Sequence, residues 1–150
     1  PAAYQEFASG DIEELLLPEG GKVRIIAGHV IINQKLLQGP LPEFSTQPVL
    51  LNLELSTNES IEVSRFNAED PALVYVYKGT TDLIATRQLG GYGKGKHLQL
   101  KAGASGAELL ILSGRPINEP LVQYGPFVMN TREEIERALK DFQSRQFLEG

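Results

Sequence analysis

The stretch that decides the fold reads Val23-Arg24-Ile25-Ile26-Ala27-Gly28-His29-Val30-Ile31-Ile32. This short run, rich in β-branched residues, is typical of a β-strand. Six similar runs follow, separated by Gly, Pro and Asn residues: Val49–Leu55, Ile61–Phe66, Leu73–Tyr77, Asp82–Gln88, His97–Leu100 and Glu108–Ser113. Several short strands with no helix between them predict an antiparallel sandwich or barrel.

Two neighbouring runs predict a β-hairpin. Leu73–Tyr77 and Asp82–Gln88 are joined through Lys78-Gly79-Thr80-Thr81, a connection that contains glycine. The turn is therefore expected at residues 78–81.

A glycine-rich segment at residues 90–96 has the spacing G-x-x-x-x-G-K of a phosphate-binding loop. Such a loop needs a Ser or Thr at the next position and a helix after it. Here His97 and a predicted strand follow instead. We therefore predict a mobile hairpin loop and no nucleotide site.

The sequence period becomes helical after residue 130. Thr131 and Glu134 have the spacing of a capping box, in which each side chain bonds to the backbone of the other. Ile135, Ala138, Leu139 and Phe142 then fall on one face of a helix. A C-terminal amphipathic helix is predicted.

Composition narrows the classes of function. The 150 residues are 41% hydrophobic and 22% charged, which fits one globular domain. The net charge is −5 and the 14 Lys and Arg residues are scattered, so we expect no direct nucleic-acid binding. No apolar run approaches the roughly 20 residues of a membrane helix, and the first residues lack a signal-peptide pattern. We expect a cytoplasmic protein without membrane contact, or a nuclear one in a eukaryote.

Metal and nucleophile chemistry have few candidate residues. There are no cysteines and two histidines, His29 and His97, on separate predicted strands. A three-histidine site is excluded by number, whereas two histidines with Glu54 or Glu62 stay open as a metal site. No G-x-S-x-G motif is present, and paired carboxylates occur in predicted turns or at the helix start. We assign no catalytic, cofactor-binding or metal-ligating residue.

The segment between the strands and the helix, residues 114–130, is both irregular and apolar. Its three prolines and two glycines disfavour regular structure across most of it. A solvated linker would not carry so many apolar side chains, namely Leu121, Val122, Tyr124, Phe127, Val128 and Met129. We expect the segment to pack along a surface.

The end of this segment resembles a known family. Residues 119–135, with GPFVMNT at 125–131, are similar to the closing motif of the pirin family. The resemblance extends over nearly the whole chain. It includes Tyr4-Gln5 as an interdomain connector, Val23–Gly28 as an entry strand, Gly39-Pro40 as the turn after it, and Val74–Gly79 and Leu109–Pro116 as further strands.

The resemblance implies a fold and a division of labour. The chain would be mainly β, a cupin-like antiparallel β-barrel or double-stranded β-helix with one C-terminal α-helix. Residues 1–20 would form a connector, 21–114 the barrel, and 115–150 a return segment plus helix within the same domain. The family's iron-type metal belongs to the N-terminal cupin half, which these residues lack. The segment Ile61–Phe66, where a cupin would carry its H-x-H pair, has no histidine, so no cofactor is implied in this chain.

Family members are described as quercetin 2,3-dioxygenases or as transcriptional cofactors that act through other proteins. We expect a metal-free structural and docking partner of an N-terminal pirin cupin half, without catalysis by this chain alone. Self-association, a direct part in quercetinase-type dioxygenase activity, and a small molecule bound in the barrel stay open. Because the chain begins at what resembles a connector, we expect a fragment or the product of a split gene.

The resemblance also gives the apolar tail a role, since the family's tail returns towards the first domain. The candidate docking residues are Tyr124, Phe127, Val128, Met129, Ile135, Leu139 and Phe142. The alternative is that they cover the open end of their own barrel.

Overall fold

The computed structural model describes residues 5–41, 44–65, 67 and 69–144, and the chain divides after Pro116 into two compact units. Among the described residues, the first unit has a short 3-10 helix (Ser9–Asp11) and these strands: β1 (Glu14–Leu16), β2 (Lys22–Ala27), β3 (His29–Ile32), β4 (Lys35–Gln38), β5 (Val49–Leu55), β6 (Ser60–Arg65), β7 (Ala72–Thr81), β8 (Gln88–Tyr92) and β9 (His97–Ser113). The second unit has β10 (Val122–Tyr124), β11 (Phe127–Met129) and α1 (Arg132–Gln143).

Strand β9 is shared by two antiparallel sheets of the first unit. The large sheet has the order β1-β2-β5-β9-β7-β8, and residues 107–113 of β9 pair with β5 and β7. The small sheet has the order β4-β3-β6-β9, and residues 97–101 of β9 pair with β6. The two sheets form a nearly closed barrel, so the mainly β, cupin-like fold class with one C-terminal helix is confirmed.

The inward side chains of both sheets form one aliphatic core. Along β5, Leu51, Leu53 and Leu55 are buried and alternate with half-buried residues, as expected when one face of a strand meets a core. Strands β2, β3, β4, β6, β7 and β9 also contribute buried residues to this core. Among them are Val23, Ile25, Val30, Ile32, Leu37, Ile61, Val63, Val74, Val76, Leu98, Leu100, Leu109 and Ile111.

The run at residues 23–32, predicted as one strand, is two strands in different sheets. Gly28 separates β2 from β3 and has a φ of +77°, which glycine adopts without steric cost. A Cβ at this position would lie 2.4 Å from the carbonyl oxygen of Pro48. The chain therefore passes from the large sheet to the small sheet at a glycine.

The predicted hairpin exists, but its turn was misplaced. Strand β7 continues to Thr81, and Gly79 (φ +68°) lies where its register with β9 shifts, as in a bulge. The turn is at residues 82–87, where Thr81 Oγ1 accepts a hydrogen bond from the Ile84 amide at 2.9 Å. The return strand is β8, so Gly90 and Gly91 of the predicted mobile loop belong to the sheet. Glycine within a strand marks a bulge or a close approach as well as a turn.

Other boundaries also differ from the sequence patterns. The patterns did not predict β1, β4 or the β10–β11 hairpin, and that hairpin lies in the proline-containing segment. The runs at 97–100 and 108–113 are parts of one strand, β9. Tyr4 of the connector motif, Phe66 of the third run and the last six residues lie outside the described residues.

The helix prediction is confirmed. Thr131 Oγ1 accepts a hydrogen bond from the Glu134 amide at 3.2 Å, and Glu134 Oε2 accepts one from the Thr131 amide at 2.9 Å. Hydrogen bonds from the Thr131 hydroxyl and then its amide lower the pKa of Glu134. Within its unit, α1 contacts β10 and β11, and Ile135 and Ala138 are its buried residues. In the described part of the chain, we find no helix with the length and apolar character needed to cross a membrane.

Candidate functional site

The barrel interior, where a cupin would hold a metal, is filled by aliphatic side chains. Among these, Val74, Leu109 and Ile111 are at most 1% exposed. An iron-type ion needs nitrogen or oxygen ligands, which such side chains do not supply. Among the described residues, no group of three His, Asp or Glu could hold a metal ion. The residues of this barrel do not fit the metal ion, which the resemblance to the pirin family places in the N-terminal cupin half.

Both histidines lie on the outward side of the small sheet. The next residue along the strand is buried in both cases: Leu98 after His97 and Val30 after His29. Because successive side chains of a strand point to opposite faces, the two imidazoles point away from the core. They are therefore not ligands that line the barrel.

The two histidines are also far from each other. His97 pairs with Ser64 of β6, and Ser64 pairs with Ile31 of β3, two residues beyond His29. Two strand spacings of about 4.8 Å, and two residues along β3, separate their backbones by about 10 Å or more. Glu54 belongs to the large sheet, where it pairs with Lys22 at 3.0 Å. The structure does not bring the two histidines and a carboxylate together.

His97 contacts both a serine and a glutamate, a combination that calls for comparison with a catalytic triad. Its Nδ1 lies 3.2 Å from Ser64 Oγ and 3.1 Å from Glu62 Oε1. In a triad, the serine and the carboxylate contact different nitrogens of the imidazole, whereas here both contact the same one. The side chains of His97 and Glu62 are 56% and 48% exposed. This is a solvated surface cluster and not a nucleophile site.

Glu59 is a buried carboxylate with a structural explanation. It is 1% exposed, its Oε2 accepts a hydrogen bond from the Ser56 amide at 2.7 Å, and its Oε1 has no hydrogen-bond partner among the described residues. A Cβ at Gly21 would lie 2.2 Å from Oε2, so glycine is needed beside it. The Glu59 carbonyl also accepts from the Ala102 amide at 2.8 Å. Glu59 therefore links the β5–β6 turn to the start of β2 and to β9.

A groove of about 200 Å³ lies beside this turn. Its lining includes Gly20, Gly21, Ser56, Gly79 and Gly106. Small-molecule sites usually have about 300 Å³ or more, so this groove is small for a substrate.

Two lysines near the groove are paired with carboxylates. Lys22 pairs with Glu54 and Lys78 pairs with Glu108. These hydrogen bonds raise the pKa of each lysine, so both remain charged. The charges offer little to a small ligand because they already have partners.

The outward faces of the two sheets differ in polarity along β9 and its neighbours, although Ile31 and Leu36 form an exposed apolar pair at the β3–β4 edge of the small sheet. On the small sheet, β6 and β9 present Ser60, Glu62, Ser64, His97, Gln99 and Lys101. On the large sheet, the corresponding surface carries six apolar side chains, here called the leucine face: Leu50, Leu73, Tyr75, Leu89, Leu110 and Leu112.

Sequence reasoning did not identify the leucine face, although its signal was present. Residues 49–51, 72–77 and 109–112 are apolar at successive positions, whereas residues 60–64 alternate between polar and apolar. Continuous apolar strands are typical of sheets covered on both faces, and alternation is typical of a sheet with one solvated face.

The docking residues predicted from the sequence differ in their exposure. Tyr124, Val128 and Phe142 are 64%, 54% and 62% exposed, and Ile135 is 6% exposed. The rings of Phe127 and Phe142 meet edge to face with centroids 5.8 Å apart. Phe127, Met129 and Leu139 are half-buried. The tail thus presents part of the predicted set to solvent, while Ile135 faces inwards.

Known proteins similar to this chain share its fold and much of its sequence. Residues 50–148 match the family model described as the Pirin C-terminal cupin domain. A Pseudomonas aeruginosa protein named "Putative quercetin 2,3-dioxygenase" is 38% identical over 149 residues, which cover 95% of this chain and 52% of that protein. A Pirin-like protein of Caulobacter vibrioides is 30% identical over 96% of this chain and 52% of its own length. The chain spans about half the length of the curated relatives it matches.

A solved structure also matches this chain over about half of its own length. The quercetin 2,3-dioxygenase structure from Acinetobacter baumannii superposes with a TM-score of 0.81 and 26% identity, and the match covers 99% of this chain and 51% of that one. The likeness therefore extends over the barrel and the tail, and it again occupies half of a longer protein.

Proposed function

This chain belongs to the pirin family, as its C-terminal cupin domain, and we propose that it acts as a metal-free half that docks to and supports a preceding half. In this role it binds another protein module and supplies no reactive centre. The single observation that carries the proposal is the filled aliphatic interior of the barrel, with both histidines on its outer side.

The chemistry of the side chains supports the metal-free part of the proposal. A redox metal needs several imidazole or carboxylate ligands that converge on one point. In the described residues, His97 is engaged with Glu62 at 3.1 Å on the surface, and Glu54 is engaged with Lys22 at 3.0 Å on the other sheet. No reaction step is assigned to this half.

The lengths of the relatives support the docking part. The dioxygenase names belong to proteins of which this chain matches about half. The preceding half of such a protein is a natural partner, and the exposed tail residues Tyr124, Val128 and Phe142 are candidate contacts. Quercetin 2,3-dioxygenase activity is accordingly proposed for the assembled protein and not for this chain alone.

Metal analysis tests this function. The purified 150-residue chain, produced with iron, nickel and zinc in the medium, should hold far less than one metal ion per chain by plasma mass spectrometry. It should not turn over quercetin when metal is supplied. The variants His29→Ala and His97→Ala are the controls, and their metal content should equal that of the wild type. Near-stoichiometric metal that disappears in either variant would refute the proposal.

The cytoplasmic location stays a prediction. Cell fractionation with an antibody against the natural protein checks it, and recovery in the membrane fraction would contradict it.

A further inference from the structure

We propose that the leucine face of the large sheet is the surface on which the preceding half of the protein docks. This inference rests on the proposed function and adds to it the docking surface, which differs from the tail residues predicted from the sequence. The partner is a second protein module of the kind that precedes this domain in the relatives.

The strand register places the apolar side chains in adjacent rows. Leu112 of β9 pairs with Leu50 of β5 on one side and with Leu73 of β7 on the other. In the next row, Leu110 pairs with Tyr75, and Tyr75 pairs with Leu89 of β8. Directly paired residues of neighbouring strands have their Cβ atoms about 5 Å apart, so these side chains form one continuous surface.

This surface is apolar and open to solvent. Leu73 and Leu112 are 43% and 39% exposed, although the inner sides of their strands, β7 and β9, are buried in the core, and Leu89 of β8 is 59% exposed. A sheet that is apolar on both faces is the central layer of a three-layer arrangement and needs cover on each side. Contiguous exposed apolar patches usually mark interaction sites.

A polar border adjoins the apolar rows. One row further along the same outward face, Glu54 pairs with Glu108, and these carboxylates bind Lys22 and Lys78. An apolar centre with a charged border is the usual composition of a protein–protein interface. Since the lysines and glutamates neutralise each other, the border favours a partner that is neutral or mixed in charge and not a polyanion.

The preceding half is favoured over a second copy of this chain as the partner. The matched relatives contain about as much chain again as this domain occupies, and the family model identifies the matched part as C-terminal. A module tethered in the same chain is present at a high effective concentration, so it covers the face before a separate copy can. The exposed face of a sheet is best covered by another sheet or by a layer of helices of that module.

Co-expression with a complementary half tests the docking face. The full 150-residue chain is produced together with the part of the Pseudomonas aeruginosa relative that precedes its 149-residue match. We expect a one-to-one complex in light scattering after purification through a tag on the partner. The relative's own two halves, co-expressed in the same way, establish that the assay detects such a pair.

Two double variants and a matched control separate the leucine face from the rest of the surface. Leu73→Glu with Leu112→Glu should weaken the complex by more than about tenfold, the loss typical of interface hot spots. Leu73→Thr with Leu112→Thr keeps strand-forming residues and should weaken it in the same direction. Leu36→Glu is the control, because Leu36 is 55% exposed on β4 of the small sheet and should leave the complex unchanged. Circular dichroism of each variant checks that the barrel is folded.

Hydroxyl-radical footprinting of the wild-type pair gives a second measurement that no substitution can disturb. Leu73, Leu89 and Leu112 should be protected in the complex, whereas Leu36 should not.

The outcomes distinguish this inference from the function on which it rests. A complex that survives in both double variants, without footprint at the leucine face, overturns the inference and leaves the docking function standing. A chain that forms no complex, while the relative's own halves pair, overturns both. A homodimer that Leu73→Thr with Leu112→Thr disrupts, and that excludes the complementary half, overturns the choice of partner.

Discussion

The two halves of strand β9 share a backbone and a core but meet different surroundings outside the barrel. In residues 97–101 the inward residues are leucines and the outward ones are His97, Gln99 and Lys101. In residues 107–113 the inward residues are again aliphatic, while Leu110 and Leu112 point outwards. The outer surface of β6 and the first part of β9 is therefore polar, whereas the outer surface around the second part of β9 is apolar, as in sheets that are covered on both faces.

This difference supports the proposal that the domain binds its partner through the outer face of the large sheet. A cupin-like barrel can place function inside, between its sheets, or outside, on their faces. Here the interior is filled, and the polar outer face carries solvated pairs such as His97 with Glu62. The leucine face has the continuous apolar composition that is typical of an interaction site.

The largest expected effect compares inward and outward leucines of the same strand half. Leu109→Ala should lower the free energy of unfolding by about 2–5 kcal/mol, because it removes a fully buried side chain and leaves a cavity. Leu112→Ala, at a position 39% exposed, should cost the isolated chain about 1 kcal/mol or less. Urea unfolding measures both values. An equally large loss for Leu112→Ala would mean that this leucine is packed within the chain, and the comparison between the two faces would fail.

The next effect concerns the junction between the two halves of β9. Gly106 has a φ of +76°, and a Cβ there would lie 2.7 Å from the carbonyl oxygen of Leu55. Gly106→Ala should therefore cost about 1–3 kcal/mol through backbone strain. Gly10→Ala is the matched control, because nothing lies within 4 Å of its added Cβ, and its unfolding midpoint should stay near that of the wild type. Equal midpoints for the two variants would show that the junction carries no strain.

The smallest expected effect is on the pH dependence of stability, and it concerns a contact to β4 of the small sheet. Glu13 accepts a hydrogen bond from the Gln38 amide of β4, and that bond, with help from Lys35, lowers its pKa below the ordinary value of 4.5. A lowered folded pKa adds stability that is present above 4.5 and is lost as the pH falls through the folded value. Glu13→Gln should therefore be less stable than the wild type at neutral pH, and the two should converge in acid. A constant difference from neutral pH to acid, measured by thermal unfolding, would exclude this linkage.

The sequence predicted the class of fold well but misplaced several turns. Six of the seven short apolar runs coincide with strands, whereas the run at residues 82–88 is mostly the β7–β8 turn, and the capping pair Thr131 and Glu134 located the helix. Glycine led to wrong turn predictions around the β7–β8 hairpin, because Gly79 is a bulge within β7 and Gly90 lies within β8. A local pattern states that the backbone is unusual at a glycine, but the paired strand decides whether the chain turns or continues.

For the candidate site, the sequence supplied residue types but not their positions relative to the sheets. The sequence left open a site of two histidines with Glu54 or Glu62, and register places Glu54 on the large sheet and His29 two strands away from the His97–Glu62 pair of the small sheet. Among the predicted docking residues, Ile135 faces inwards within the tail unit while Tyr124 and Phe142 are exposed. The leucine face was not predicted, since it joins residues of four strands that are distant in the sequence.

By itself, the sequence determined the β-rich class, the helix with its cap and the shortage of metal ligands, because these depend on residue types and on spacing along one segment. Only the tertiary structure decided which side of each strand meets the core. That choice follows from pairing between distant segments, and a shift of one residue reverses every side chain of a strand. This pairing directs Leu110 and Leu112 outwards next to Leu73 and Tyr75. It thereby forms an exposed apolar surface from strands whose sequences, taken singly, are typical of buried strands.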